Sequence, residues 1–280
     1  DPAPDEGGRR PRPGSAFLML PAGRAPWWAW PAMLSLDGVA FVLLARELAA
    51  PGSAWSWGTA TTVWLVWCGY VLDRTLDAAW FPAATRTWRH RFHARHGWTL
   101  LAIGAGIGAV LFLALAWAEP SALPATRARS LHPFDLRQAA GGLVVIFCAR
   151  WLTEVWALRI GLVALLLASF AVGPLPDPSI AALLAVFLLA ATNLLAHRRI
   201  EVGLAASWDR FIPWLAVAGC LACLLLGSTD ERWLCGACLG GVLTLCWQPA
   251  SSGVDPEYRR ASIDGGVLIV LAVACLGRLF

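Results

Sequence analysis

Long apolar blocks are the feature that most constrains how this chain can fold. Nine blocks of about 16 to 24 residues are separated by short clusters of Arg, Pro, Gly and acidic residues. A helix needs about 20 apolar residues to cross the roughly 30 Å hydrocarbon core of a bilayer. The blocks are approximately 27–49, 57–76, 98–118, 139–157, 160–175, 180–196, 211–227, 233–248 and 263–280. This pattern predicts an all-α, polytopic transmembrane helix bundle with about nine spans.

The composition argues against a water-soluble domain. The chain is 58% hydrophobic and only 14% charged, whereas ordinary soluble domains contain about 25% charged residues. All 22 basic residues are arginine, so the net charge of +4 reflects a coding bias. The charge therefore predicts no nucleic-acid partner, and the bilayer is the expected surroundings.

The distribution of arginines predicts the orientation of the bundle. With nine spans and a cytoplasmic N-terminus, 16 of the 22 arginines lie on the inner side and the other six on the outer side. Cytoplasmic loops carry such an excess of basic residues. We therefore expect a multi-pass protein of a bacterial-type inner (plasma) membrane. Residues 1–25, which are rich in Pro, Gly and Arg, are predicted to be a disordered tail, and residues 26–280 a single transmembrane domain.

Isolated polar residues interrupt several of the predicted spans. Asp37 lies in the first, Asn193 in the sixth and Asp264 at the start of the last, while Arg150 and Glu154 can pair within the fourth. Polar groups at membrane depth are costly and face the interior of a bundle. These residues are therefore predicted to point inward, and Asp37 most needs a partner.

The segment with the clearest chemistry is Gly69-Tyr-Val-Leu-Asp73-Arg-Thr-Leu-Asp77, at the inner end of the second span. Two carboxylates four residues apart share one face of a helix. Such a pair can hold Mg²⁺, which is completed by waters and substrate phosphate oxygens. Arginines of the next inner segment can then meet a diphosphate, namely Arg86, Arg89, Arg91 and Arg95. Alternatively, Asp73 and Asp77 pair with Arg74 and those arginines at a solvated helix end.

The number of spans, the inner N-terminus and this Asp-x-x-x-Asp motif together resemble the UbiA-type intramembrane prenyltransferases. Gly69 stands where that family carries Asn, and the segment after span six has Glu201 and Asp209 in place of a second Asp-rich motif. The resemblance implies transfer of a prenyl group from an isoprenyl diphosphate to an acceptor, with Mg²⁺ as cofactor. It implies metal ligation by Asp73, Asp77, Glu201 and Asp209, with Asp73 and Asp77 catalytic. It also implies substrate binding by Arg74, Arg86, Arg89, Arg198 and Asp37.

Two further clusters have competing interpretations. The segment from Arg89 to His96 carries histidines at positions 90, 93 and 96, which suit a transition metal, but the interleaved arginines favour a basic interfacial helix. The pairs Cys220/Cys223 and Cys235/Cys238 match zinc spacing. Because both pairs lie in apolar helices, small buried residues of a helix hairpin are favoured over a metal or a disulfide.

Two other functions remain open from the sequence. A non-catalytic assembly or lipid-binding protein on the same helical fold would explain Gly69 and the missing second motif. A transporter would also carry paired charges within its spans, although no internal repeat is found.

Overall fold

The structure is a computed structural model that describes residues 30–50, 57–80, 88–117, 156–172, 179–202, 208–247 and 256–279. Within these ranges the chain is helical and has no strand, which confirms the predicted all-α class. The helices are α1 (Trp30–Met33), α2 (Leu36–Ala49), α3 (Trp57–Trp80), α4 (Trp88–Trp117), α5 (Trp156–Val172), α6 (Ile180–Val202), α7 (Trp208–Leu226), α8 (Arg232–Trp247) and α9 (Pro256–Leu279). A short 3₁₀ turn (Thr229–Glu231) joins α7 to α8. The predicted tail, Arg86, Arg150 and Glu154 lie outside the described residues.

The first predicted span is divided into two helices. The break falls at Leu34 and Ser35, and Ser35 adopts a left-handed backbone conformation with φ of 57°. The indole Nε1 of Trp67 donates a hydrogen bond of 2.8 Å to the carbonyl oxygen of Leu34. Because this bond satisfies a carbonyl that the broken helix leaves without a partner, α3 stabilises the break.

A shared apolar core is built from α2, α5, α6, α7, α8 and α9, with α6 packed against α5, α7, α8 and α9. Helices α3 and α4 pack closely against each other. A methyl group on Gly104 would lie 2.9 Å from the Cys68 sulfur, and one on Gly108 would overlap the ring of Trp64. Small residues at these positions therefore allow the close approach of α3 and α4.

Two of the described helical segments are long and apolar enough to cross a membrane. They are Ile180–Ile200, with a mean hydropathy of 2.1, and Tyr258–Arg278, with a mean hydropathy of 1.7. Shorter apolar helices cover Ala157–Val172, Phe211–Leu226 and Arg232–Cys246. The nine-span count and the cytoplasmic N-terminus stay predictions.

Candidate functional site

Five polar side chains from four helices meet inside the bundle. They are Asp37 of α2, Arg89 of α4, Asn193 and His197 of α6, and Asp264 of α9, and we call them the ionic network. Charged groups in an apolar bundle are costly unless they are paired. Their convergence marks this point as the candidate functional site.

Asp264 lies at the centre of the ionic network. Its Oδ1 is 2.7 Å from Nε2 of His197 and accepts a second hydrogen bond of 3.3 Å from Nδ2 of Asn193. Its Oδ2 is 3.6 Å from Nη2 of Arg89. These contacts suit an ionised carboxylate, which donates no hydrogen bond, although Oδ2 faces Arg89 without forming a hydrogen bond in the described part of the chain.

Arg89 joins the two carboxylates of the network. Its Nη1 lies 4.0 Å from Oδ2 of Asp37, while Nη2 faces Asp264. Only 4% of Arg89 is exposed. A guanidinium can serve two carboxylates because its N–H groups form a rigid fork. Arg89 therefore compensates negative charge from α2 and α9 at once.

The helices place these residues through local spacing. Asn193 and His197 are one turn apart on α6, so both reach the same carboxylate of α9. Asp37 lies in the first turn of α2, where the helix dipole favours a negative charge. Helix α6 packs against α9, and α9 packs against α2, which brings the three faces together.

The ionic network borders a cavity of about 40 Å³, which we call the polar chamber. This volume holds roughly three water molecules. The remaining lining residues are Gly38, Phe41, Tyr70, Arg74, Leu167, Ala190, Leu194, Val267 and Leu268. Within the described part of the chain, Oδ1 of Asp37, Nε of Arg89 and Oδ1 of Asn193 are buried without a hydrogen-bond partner. The chamber therefore offers polar atoms to water or to a ligand.

The residues predicted from the sequence divide into two groups. Asp37, Arg74 and Arg89 line the polar chamber together. Asp73 and Asp77 are half-buried on α3 and are not part of its lining, and Arg198 on α6 is likewise outside it. The structure thus brings together three of the predicted substrate-binding residues, while the two carboxylates of the Asp-x-x-x-Asp motif do not line the chamber.

Asp73 has a specific partner of its own. Its Oδ1 accepts a hydrogen bond of 3.1 Å from Nη2 of Arg159 on α5. Among the residues that the structure describes, no group of three or more His, Cys, Asp or Glu is placed to hold a metal ion. Glu201 lies in α6 and Asp209 in α7, but their side chains lie outside the described part. The described residues therefore do not complete a magnesium site at Asp73 and Asp77.

The histidine cluster at the start of α4 is split between the interior and the surface. His90 and His93 are buried, whereas Arg91, Arg95 and His96 are exposed. His93 Nδ1 contacts the carbonyl oxygen of Arg89 at 2.9 Å, and Nε2 lies 3.4 Å from Oγ of Ser35. Burial lowers the pKa of His93 to about 4. His93 thus helps to hold the helix turn that carries Arg89.

The four cysteines with zinc-like spacing lie where α7 and α8 pack together. Cys220, Cys223, Cys235 and Cys238 are all buried and carry free thiols. Cys220 Sγ is 4.0 Å from the carbonyl oxygen of Ala185 on α6. The interpretation of these cysteines as small buried residues of a helix hairpin agrees with this placement.

The sequence indicated three members of the ionic network but not how they pair. Asp37, Asn193 and Asp264 were expected to face inward because each interrupts an apolar span, and all three line the chamber. His197 follows the predicted sixth span in the sequence, and its hydrogen bond to Asp264 joins residues that are 67 positions apart. The position of His197 one helix turn after Asn193 is the feature of the sequence that could have indicated its place in the network. Comparisons with protein-family models, with characterised proteins and with solved structures give no match.

Proposed function

We propose that this chain is a multi-pass membrane protein with about nine crossings and a cytoplasmic N-terminus, in a bacterial-type inner membrane. Two long apolar helical segments support this proposal, as do the arginine-rich segments on one side. Large apolar side chains are exposed on α4, α6, α7 and α9, among them Val110, Ile180, Leu226 and Ile269. Arg89 and Asp264 are instead buried. An apolar exterior around charged groups suits lipid rather than water.

We further propose that the polar chamber receives the diphosphate of an isoprenoid lipid, and that the protein transfers the prenyl group to an acceptor. The observation that carries this proposal is the convergence of Arg74 and Arg89 on one cavity. Arginines are suited to phosphate oxygens because they present several N–H donors in a plane.

The substrate requires more room than the chamber has. About 40 Å³ holds a few waters, and a diphosphate is larger, so the lining helices must move apart when it binds. Magnesium belongs to this proposal through the resemblance. The described residues do not complete a ligand set for Mg²⁺. The dependence of binding and turnover on Mg²⁺ is therefore to be measured.

Binding of radiolabelled farnesyl diphosphate to the purified protein in detergent tests the proposal. We expect saturable binding that Arg74→Gln weakens at least tenfold, because Arg74 lines the chamber. Arg232→Gln, an exposed position on α8, is the control and should bind as the wild type does. The measurement is made with Mg²⁺ and with a chelator, followed by analysis for released diphosphate. Absence of binding by the folded wild type would reject the proposal.

A non-catalytic lipid-binding protein is the second candidate, and the pair of Asp73 with Arg159 favours it. A carboxylate that already accepts from an arginine is less available to a metal. A protein of this kind should bind the isoprenyl diphosphate without releasing diphosphate, both with and without Mg²⁺. Turnover that requires Mg²⁺ and is abolished by Asp73→Ala or Asp77→Ala would exclude it.

A further inference from the structure

The pair formed by His197 and Asp264 has the geometry of a side-chain base held by a carboxylate. Nε2 of His197 is 2.7 Å from Oδ1 of Asp264. An ionised carboxylate only accepts hydrogen bonds, so Nε2 of His197 carries a hydrogen. In the neutral imidazole the lone pair then lies on Nδ1, because Nε2 is the ring nitrogen that contacts Asp264.

The surroundings keep the carboxylate in its place. Asn193 donates to the same Oδ1 at 3.3 Å, and Arg89 faces Oδ2 at 3.6 Å. Asp264 is therefore held from α6 and from α4, and it cannot turn away from His197 without losing both contacts. Enzymes use the same arrangement, in which a fixed carboxylate holds an imidazole base, to set the tautomer and orientation of the imidazole.

We propose that His197 accepts a proton in the polar chamber and that Asp264 positions it for this role. The inference rests on the proposed transfer of a prenyl group. His197 itself lines the chamber, so a ligand in the chamber meets the imidazole directly. The acceptor class that fits is a molecule with a hydroxyl group, because its oxygen becomes nucleophilic as the proton leaves.

Transfer to such an acceptor exchanges one carbon–oxygen bond for another. The bond between the prenyl carbon C1 and the diphosphate oxygen breaks, and its electron pair leaves with the diphosphate. An electron pair of the acceptor oxygen forms the new bond to C1. The hydroxyl proton moves to Nδ1 of His197, which becomes an imidazolium next to the Asp264 carboxylate, and later passes to solvent.

The charges around His197 suit this change. Besides His197 itself on α6, the titratable and charged groups that line the chamber are Asp37 from α2, Tyr70 and Arg74 from α3, Arg89 from α4 and Asp264 from α9. Helix α5 contributes only the apolar Leu167. The chamber is lined by two carboxyl and two guanidinium groups. The neutral imidazole adds a positive charge only when it takes up the proton.

The tautomer of His197 can be observed directly. Nitrogen-15 NMR of ring-labelled histidines, recorded in detergent between about pH 8 and pH 5, reports which ring nitrogen carries hydrogen, and the His197 signal is assigned by its loss in His197→Gln. We expect hydrogen on Nε2 and a lone pair on Nδ1 in the neutral ring of the wild type. Asp264→Asn should remove the Nε2 preference and leave the His93 signal unchanged. Hydrogen on Nδ1 of the neutral wild-type His197 would overturn the proposal.

Turnover separates this inference from the proposed function. With farnesyl diphosphate as donor and water as acceptor, His197→Gln should lower the rate of diphosphate release about 100-fold or more, the usual range for loss of a general base. Binding of the labelled donor should change less than about twofold, and the acid limb of the pH–rate profile should disappear. His96→Gln, which removes an exposed imidazole from α4, is the matched control.

The outcomes differ between the two proposals. If the wild type binds and turns over the donor while His197→Gln keeps the same rate and pH profile, the role of His197 is rejected and the proposed function stands. A folded wild type that neither binds nor turns over farnesyl diphosphate rejects both.

Discussion

Arg89 is the residue on which the buried charges depend most. It is the cation that faces both Asp37 and Asp264, at 4.0 Å and 3.6 Å. Taking several charges out of water is expensive, and the cost is offset only while each charge keeps its partner. The stability of the ionic network therefore belongs to the set of residues rather than to any one pair.

Arg89→Met should lower the free energy of unfolding by about 3–5 kcal/mol, because it leaves two buried carboxylates without their shared cation. Chemical unfolding in detergent measures this change. Combining Arg89→Met with Asp264→Asn should restore part of the loss, since one uncompensated charge is then removed. Arg95→Met, an exposed position on the same helix, should change little. An Arg89→Met protein as stable as the wild type would contradict the assigned role.

His93 should make the stability of the protein depend on pH. It lies before the third predicted span, and burial lowers its pKa to about 4, whereas an unfolded histidine titrates near pH 6.5. Between these values the unfolded chain binds a proton that the folded chain does not, so stability falls as the pH falls from about 6.5 towards 4.

The measurement is the thermal unfolding midpoint at a series of pH values in detergent. We expect the wild-type midpoint to drop more steeply below about pH 6.5 than that of His93→Gln, which lacks the titrating ring. His96→Gln removes an exposed ring and should follow the wild type. Parallel curves for wild type and His93→Gln would show that His93 is not the group responsible.

At the level of elements, the contact between α3 and α4 depends on where the small residues lie. In the run Gly104-Ala-Gly106-Ile-Gly108, Gly104 and Gly108 are the positions where an added methyl group would meet α3. Gly106 instead has nothing within 4 Å of an added methyl group. The Trp64 indole also donates a hydrogen bond of 2.7 Å to the carbonyl oxygen of Gly104.

The same substitution at two glycines of α4 should therefore have opposite effects. Gly108→Ala should destabilise the protein by about 1–3 kcal/mol, because the methyl group overlaps the Trp64 ring. Gly106→Ala meets open space and should be neutral or stabilising by up to about 1 kcal/mol, because alanine favours a helix. Unfolding in detergent compares the two variants. Equal destabilisation by both would argue against the α3–α4 contact.

Helix α4 also joins two predicted features into one element. It runs without interruption from Trp88 to Trp117 over 30 residues, or about 45 Å. The basic segment at positions 89 to 96 is thus the first part of the helix whose later part was predicted to span the membrane. This continuity couples the position of Arg89 in the ionic network to the packing of α4 on α3.

At the level of the whole molecule, the proposed topology assigns each connecting segment to one side of the membrane. With about nine spans and an inner N-terminus, residues 51–56 should lie outside and residues 81–87 inside. Fusions to a reporter that is active only outside the cytoplasm should therefore be active after residue 52 and inactive after residue 84. The reverse pattern would invert the orientation, and equal activity would reject the second span.

Membrane extraction provides the companion measurement for the same proposal. A multi-pass protein should stay in the membrane fraction after an alkaline carbonate wash and enter solution only with detergent. Release by carbonate alone would show that the exposed apolar side chains on α4, α6, α7 and α9 do not face lipid.

The sequence by itself determined the class of the fold and the inward position of three of the polar residues. Apolar block length and helix periodicity are local properties, so α3, α6, α7 and α8 coincide closely with predicted blocks. The inward position of Asp37, Asn193 and Asp264 followed from the cost of polar groups in apolar surroundings. Local patterns did not reveal the break at Ser35, because the bond from Trp67 to Leu34 comes from another helix.

Only the tertiary structure decided which polar groups meet. Asp73 pairs with Arg159, 86 positions away, and Asp264 pairs with His197, 67 positions away. Such partners depend on how each helix is rotated about its axis and which neighbour it packs against, and both are set by the whole core. The spacing of Asp73 and Asp77 showed that they share a helix face, but it carried no information about what that face would contact.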